Sequence, residues 1–292
     1  LDLAVGAVNK LFDDKRAKKN EIDFIILCTQ SPDHFLPTSA CILQERCNLP
    51  KSAGAIDINQ GCSGYGYGFS VAKGLIESSI CQNVLLITCE TYSRYIHLKD
   101  RTNRSIFGDA ATASLITNEK DLNQYKFMFG TDGSGSEHLI IKNGCKYPLN
   151  EKPIQKRYGT DNIFDDNHLY MNGPEIFNFT IKKIPSFYNS LLEVNNCTIE
   201  DIDFVVFHQA NKFLLETLRK ISNIPSEKFI INFENTGNTV SNTIPIALKE
   251  SLINNKLNKK FFKILILGFG VGLSWCGGIL EYKNKKYYDD KR

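Results

Sequence analysis

The chain has 292 residues, 42% of them apolar and 23% charged, with a formal net charge of +3. That is enough apolar material for a substantial core, and too little charge to argue for a nucleic-acid partner. No apolar run reaches the roughly 18 residues of a membrane helix and no signal-peptide pattern opens the chain, so no membrane span is expected. The nine cysteines are odd in number, scattered and without a CxxC pair, which points to a reduced, cytoplasmic protein and away from a disulfide framework or zinc ribbon.

From Leu1 to Arg16, apolar residues at Leu3, Ala4, Ala7, Val8, Leu11 and Phe12 follow a helical period. A strand over 22–28 follows, then a helix from Thr38 to Cys47 entered through Pro37. Ala55 to Ile58 reads as a short buried strand, and Gly61 to Gly68 as a tight glycine-rich turn into a helix over 69–79. Strand 84–89, a polar loop 91–106 and a strand-like run from Asp109 to Ile116 complete this part. The stretch 129–168 is rich in Gly, Asn, Asp, Lys and Pro and has little period, as a connection or cap would. His168 to Met171 is a short strand candidate. A helix over about 174–193, strand 202–207, helix 211–222, strand 229–232, turn 234–238, helix 243–254 and strands 263–268 and 277–283 follow. Strands alternating with helices predict stacked α/β layers with largely parallel pairing. The expected division is an amino-terminal half over 1–128, a connecting or cap segment over 129–166, and a carboxy-terminal half over 167–292.

The two halves are related. Glu21-Ile22-Asp23-Phe24-Ile25-Ile26-Leu27-Cys28-Thr29-Gln30 returns 180 residues later as Asp201-Ile202-Asp203-Phe204-Val205-Val206-Phe207-His208-Gln209-Ala210. Val84 to Cys89 returns as Ile264 to Phe269 at the same offset, and Cys62 corresponds to Asn238 at an offset of 176. A long-range repeat of this kind makes two halves that share one site. The second half has a strand candidate, His168 to Met171, before its first helix, whereas the chain opens directly on a helix at Leu1; the comparison predicts that the first half lacks its amino-terminal strand.

Three residues carry candidate chemistry. Cys62, in Gln60-Gly61-Cys62-Ser63-Gly64, follows a buried strand and enters a helix. A thiol at a helix amino terminus faces free N–H groups and the positive end of the dipole, so a reactive thiolate is expected. His208 ends a strand, where ligands sit in parallel α/β sheets. Asn238, as the counterpart of Cys62, is expected to point to the same place. Cys, His and Asn together suit thioester chemistry: the sulfur takes an acyl group, and the imidazole and amide donate to a thioester oxygen that becomes an enolate. Backbone N–H groups of Gly270, Val271 and Gly272, after the last long strand, are candidates for an oxyanion site beside Cys62.

With the Cys62 turn, His208-Gln209-Ala210-Asn211, Gly237-Asn238-Thr239, Phe107-Gly108-Asp109 and the Gly270-to-Trp275 segment, the chain resembles the β-ketoacyl-acyl carrier protein synthase III family of the thiolase superfamily, from Leu1 to about Tyr282. The resemblance implies a five-layered α-β-α-β-α sandwich of two pseudo-repeated halves, usually as a homodimer. It implies no bound cofactor, and coenzyme A or acyl carrier protein thioesters as substrates, with acyl carrier protein as partner. Cys62 would hold the acyl group; His208 and Asn238 would assist loss of carbon dioxide from a malonyl thioester. Arg101 matches a family arginine near the coenzyme A entrance, and Leu36 a residue that a partner subunit inserts at the acyl pocket. Asn211 and Phe213 are further substrate-binding candidates by the same resemblance; Phe213 stands where the family commonly has an arginine for the coenzyme A phosphate. That departure leaves open transfer of the acyl group to an alcohol or amine. A thiolase, suggested by Cys276-Gly277-Gly278, and an inactive scaffolding homologue are further alternatives.

Overall fold

The computed structural model describes residues 1–13, 17–118, 125–159, 161–254, 259 and 261–283. In the first half, helix α1 (Asp2–Asp13) leads into strand β1 (Phe24–Cys28), helix α2 (Ser39–Arg46), strand β2 (Gly54–Ile58), helix α3 (Gly64–Glu77) and strand β3 (Asn83–Glu90). A short helix α4 (Arg101–Ile106) and strand β4 (Ala110–Thr117) follow. The middle of the chain holds strands β5 (Met128–Thr131), β6 (Leu139–Ile140), β7 (Lys156–Tyr158), β8 (Asn162–Phe164) and β9 (Tyr170–Met171). The second half runs α5 (Gly173–Val194), β10 (Phe204–Phe207), α6 (Lys212–Ile221), α7 (Thr243–Asn254), β11 (Phe261–Gly270) and β12 (Ser274–Lys283).

Two sheets carry the halves, ordered β2-β1-β3-β4 and β10-β11-β12-β5. Their registers repeat: Phe24 pairs with Val84 in one and Phe204 with Ile264 in the other, each residue displaced by 180 positions. Period-two alternation then sorts side chains into layers. Ile25, Leu27, Leu85 and Ile87 face an outer core under α1 and α2. Val205, Phe207, Leu265 and Leu267 face another under α5 and α6. The intervening residues Ile26, Leu86, Val206 and Ile266 meet in a central core that also takes Tyr65, Ala72 and Ile76 of α3 and Ile244, Ala247 and Leu248 of α7. The order is helix, sheet, helix, sheet, helix, the five-layered sandwich the resemblance implies. Each fully buried Leu, Ile or Val in the central layer contributes about 1.5–3 kcal/mol.

Several expectations shift. The pairing is mixed, because β4, β12 and β5 each run antiparallel to their neighbours. Helix α3 starts at Gly64 and not at 69: a Cβ at Gly66 would meet Cys276 Sγ at 2.9 Å and one at Gly68 would meet Leu86 Cδ1 at 2.5 Å, so these glycines serve helix-to-sheet packing inside the sandwich. The loop 91–106 contains α4. The strand expected over 229–232 reduces to a single bridge between Val205 and Phe229. The segment assigned as a connection, 129–166, supplies most of β5, which pairs with β12 as the edge of the second sheet. The strand candidate at 168–171 instead forms a two-stranded ladder with β6.

Candidate active site

Cys62 lies between β2 and α3, at the carboxyl ends of the parallel strands. Ser274 holds this turn against the loop after β11: its hydroxyl is 2.7 Å from Ser63 Oγ, 3.1 Å from Gln60 Oε1 and 3.0 Å from the Val271 carbonyl. Gly270, at φ 157°, packs so closely on the thiol that a Cβ there would sit 2.9 Å from Cys62 Sγ. The Val271 N–H and the N–H of Cys62 itself both favour charge on the sulfur. Burial opposes them and wins: Cys62 is 5% exposed and its pKa is pushed up to about 12. The expected thiolate is therefore a neutral thiol in the free protein, since desolvating the charged form outweighs two N–H groups.

His208 follows β10 and is buried against Phe269 in an edge-to-face contact, ring centroids 5.7 Å apart. Its Nδ1 lies 2.7 Å from Thr243 Oγ1. Burial lowers its pKa to about 3, with the Val240 carbonyl partly offsetting the shift, so the imidazole is neutral near pH 7. Asn238 is fixed on both backbone sides by the first half: its N–H donates to the Ile106 carbonyl at 2.8 Å, and its carbonyl accepts the Gly108 N–H at 3.0 Å. Its side-chain Oδ1 accepts the Val240 N–H at 2.9 Å, which leaves the amide Nδ2 as the outward donor.

Val240 is linked to all three. It packs in one buried apolar cluster with Cys62, its N–H orients Asn238, and its carbonyl sits beside His208. It opens the 3-10 turn Val240–Asn242 at φ 57°, a conformation that a β-branched residue adopts at a cost of about 1–3 kcal/mol and that the surroundings must impose. The same buried cluster includes Tyr92, Ile96, Leu139 and Leu169. Val240 and Thr243 carry no signal in the sequence: a valine or threonine in a polar turn does not show that it orients a neighbour.

The remaining candidates lie away from this centre or are otherwise engaged. Arg101 is exposed at the start of α4. Leu36 is 74% exposed. Asn211 caps α6, its side chain accepting the Leu214 N–H at 2.9 Å. Phe213 is 72% exposed and stacks on Phe177, with centroids 5.7 Å apart.

A duplicated α/β sandwich with a buried thiol at one strand end, and an imidazole and an amide held by one strained turn, has the layout of a thiol-dependent acyl-transfer enzyme. Comparison with known proteins is specific. Residues 56–133 match the family model described as 3-oxoacyl-[acyl-carrier-protein (ACP)] synthase III, and residues 192–282 match its C-terminal counterpart. A β-ketoacyl-[acyl-carrier-protein] synthase III of Clostridium perfringens is 37% identical over 281 residues, covering 96% of this chain and 84% of that protein. A crystal structure of a 3-oxoacyl-(acyl-carrier-protein) synthase III superposes with a TM-score of 0.92 at 44% identity, covering 96% of this chain and 84% of that one. The β-ketoacyl-[acyl carrier protein] synthase III of Thermus thermophilus superposes with a TM-score of 0.85 at 31% identity, covering 97% and 84%. The chain belongs to the 3-oxoacyl-[acyl-carrier-protein] synthase III family. It is a condensing enzyme of the acyltransferase class, working on thioesters in fatty-acid biosynthesis.

Proposed function

We propose that Cys62 carries the acyl group and that His208 and Asn238 drive a decarboxylative condensation with a malonyl thioester. In the first half-reaction the Cys62 sulfur attacks an acyl thioester carbonyl. The resulting oxyanion faces the Val271 and Cys62 N–H groups, and collapse releases the donor thiol, which takes up the proton that Cys62 loses. In the second, the malonyl thioester carbonyl accepts hydrogen bonds from Asn238 Nδ2 and from His208 Nε2, the latter once the Thr243 hydroxyl, which donates to the Val240 carbonyl at 3.1 Å, turns its proton to Nδ1. The bond to the carboxylate breaks, carbon dioxide leaves, and the electron pair becomes the enolate. Its carbon attacks the acyl-Cys62 carbonyl, forming the new carbon–carbon bond and expelling the sulfur, which is reprotonated. A neutral imidazole fits this role, because it donates a hydrogen bond without having to release a proton.

The observation that carries the reading is the Val240 turn, which shares one buried cluster with Cys62, donates its N–H to Asn238 Oδ1 and sets its carbonyl beside His208. The exposed cations Arg101 and Lys212 would meet the phosphate of coenzyme A or an acidic acyl carrier protein. Phe35 and Leu36, 85% and 74% exposed, form an apolar projection that supports a homodimer in which Leu36 reaches a partner's acyl pocket. The setting is cytoplasmic, consistent with nine free cysteines and no membrane-length apolar helix among the described residues. Intact-mass measurement with acyl-coenzyme A and acyl carrier protein donors tests the first step. Cys62→Ala abolishes the acyl adduct; an undiminished adduct in that variant would rule out Cys62 as the nucleophile.

A further inference from the structure

Glu90 is a fully buried carboxyl group at the end of β3, with no part in the chemistry above. It is well served with donors. Oε2 accepts the Gln30 N–H at 3.1 Å and the Ser31 hydroxyl at 3.1 Å; Oε1 accepts the Ser241 hydroxyl at 3.0 Å. Gln30 and Ser31 follow β1, in the same half as Glu90, whereas Ser241 is the middle residue of the 3-10 turn Val240–Asn242 in the other half. The neighbouring Asn242 is held in the same way: its Oδ1 accepts the Thr88 hydroxyl at 2.6 Å and its Nδ2 donates to the Ala110 carbonyl at 3.0 Å. The anchors of this turn therefore come from the tips of β3 and β4. Its load is the strained Val240 at φ 57°, whose N–H orients Asn238 and whose carbonyl sits beside His208 and accepts the hydroxyl of Thr243, the His208 partner one residue on. A residue held in the left-handed region stays there only while its surroundings fix it.

We propose that Glu90 is a positioning residue for the His208–Asn238 pair: from the tip of β3 in one half it fixes the turn 240–242 of the other, and through that turn sets both donors. The proposal rests on the decarboxylative reading of the pair. The nucleophile is held by a separate set of bonds, Ser63–Ser274–Gln60, so the two half-reactions depend on Glu90 unequally.

The test is a double-mutant cycle of Glu90→Met and Ser241→Ala, with acylation of Cys62 and carbon dioxide release from malonyl-acyl carrier protein measured separately. Glu90→Met keeps the approximate volume and removes every acceptor. Ser241→Ala removes only the link to the turn and preserves the fold if the first variant does not. Each slows carbon dioxide release about tenfold or more, in line with the roughly hundredfold cost of a 1 Å misplacement. The double variant is no slower than the worse single variant, since both break one link. Acylation stays within a few-fold of the parent. Glu90→Gln retains most of the rate, because the Ser31 and Ser241 hydroxyls can accept from its amide as well as donate. Additive losses, or equal losses in both half-reactions, overturn the proposal. The His208 imidazole NMR resonances supply a readout that needs no turnover. They shift in Ser241→Ala if Glu90 sets the turn, and unchanged resonances overturn the proposal even if the parent enzyme fails to decarboxylate malonyl thioesters. That last failure would sink the decarboxylative reading and not the positional one.

Discussion

The sharpest prediction concerns Gly108, a residue with no chemistry of its own. Two backbones cross here: the Gly108 N–H donates to the Asn238 carbonyl at 3.0 Å, and the Asn238 N–H donates to the Ile106 carbonyl at 2.8 Å. A Cβ added at position 108 would lie 2.1 Å from the Thr236 carbonyl oxygen and 3.5 Å from Thr239 Cγ2. Backbone, not a pliable side chain, receives that clash. In Gly108→Ala the 236–239 segment has to retreat by roughly 1 Å or more to reach ordinary contact distance. Asn238 lies inside that segment, so its amide moves with it. A misplacement of about 1 Å costs about 100-fold in rate, or about 2.7 kcal/mol of transition-state stabilisation. The expected outcome is a loss of about 100-fold in carbon dioxide release from malonyl-acyl carrier protein. Acylation of Cys62 is largely retained, because the Cys62 turn is pinned by Ser274 and not by residues 106–108. Thermal unfolding by circular dichroism confirms that the variant is folded. Decarboxylation within about threefold of the parent in a folded variant would refute the argument, since the 106–108 ladder would then not set Asn238.

Two further outcomes follow from the site. With the Cys62 pKa pushed up to about 12 by burial, the thiolate fraction rises about tenfold per pH unit throughout the neutral and mildly alkaline range. Alkylation of Cys62 by iodoacetamide, followed by peptide mass spectrometry, should climb log-linearly from pH 7 to about 9.5. A plateau near neutrality would mean that the sulfur is already ionised, as in a thiolate–imidazolium pair. At the entrance, Phe213→Arg exchanges the exposed stack on Phe177 for a cation. An exposed ion pair is worth up to about 1 kcal/mol, so the KM for an acyl-coenzyme A donor falls by up to about fivefold with kcat unchanged; an unchanged KM would place the donor phosphates elsewhere.

The scaffold was legible because its signal is periodic and repeated. Ile25, Ile26 and Leu27 alternate between an outer and the central core, and Val205, Val206 and Phe207 do the same 180 residues later. The candidate trio is proposed from sequence because Cys62 and Asn238 are repeat counterparts and His208 ends a strand. The rest depends on contacts that sequence does not encode locally. Met128–Thr131 is too short, and broken by Gly130, to read as a strand; it becomes one because β12 presents a free edge to it. Gly64 to Gly68 looks like a loop, yet packing between two sheets favours a helix whose glycines at 66 and 68 let it approach Cys276 and Leu86 closely. For Cys62 the helix terminus is visible in the sequence, whereas the burial that pushes its pKa up is not.

Under the proposed mechanism, the repeat also accounts for a nucleophile on one tip and a pair of donors on the other. Strand positions Ala55 and Phe229 are equivalent, since they pair with Ile25 and Val205, which lie 180 residues apart. From Ala55 to the start of α3 at Gly64 is nine residues; from Phe229 to the start of α7 at Thr243 is fourteen. The second half therefore has five more residues between strand and helix. In the shorter connection Cys62 stands two residues before the helix, held rigidly by the Ser63–Ser274 contact. The longer one holds both Asn238 and the turn 240–242, so a single segment can carry one donor and orient the other. A turn of that length, opened by a valine at positive φ, has no reason to keep its shape alone. Its bonds to Glu90, Thr88 and Ala110 come from the half that carries the thiol, so the nucleophile and the two donors are held in mutual register by the interface between the repeats.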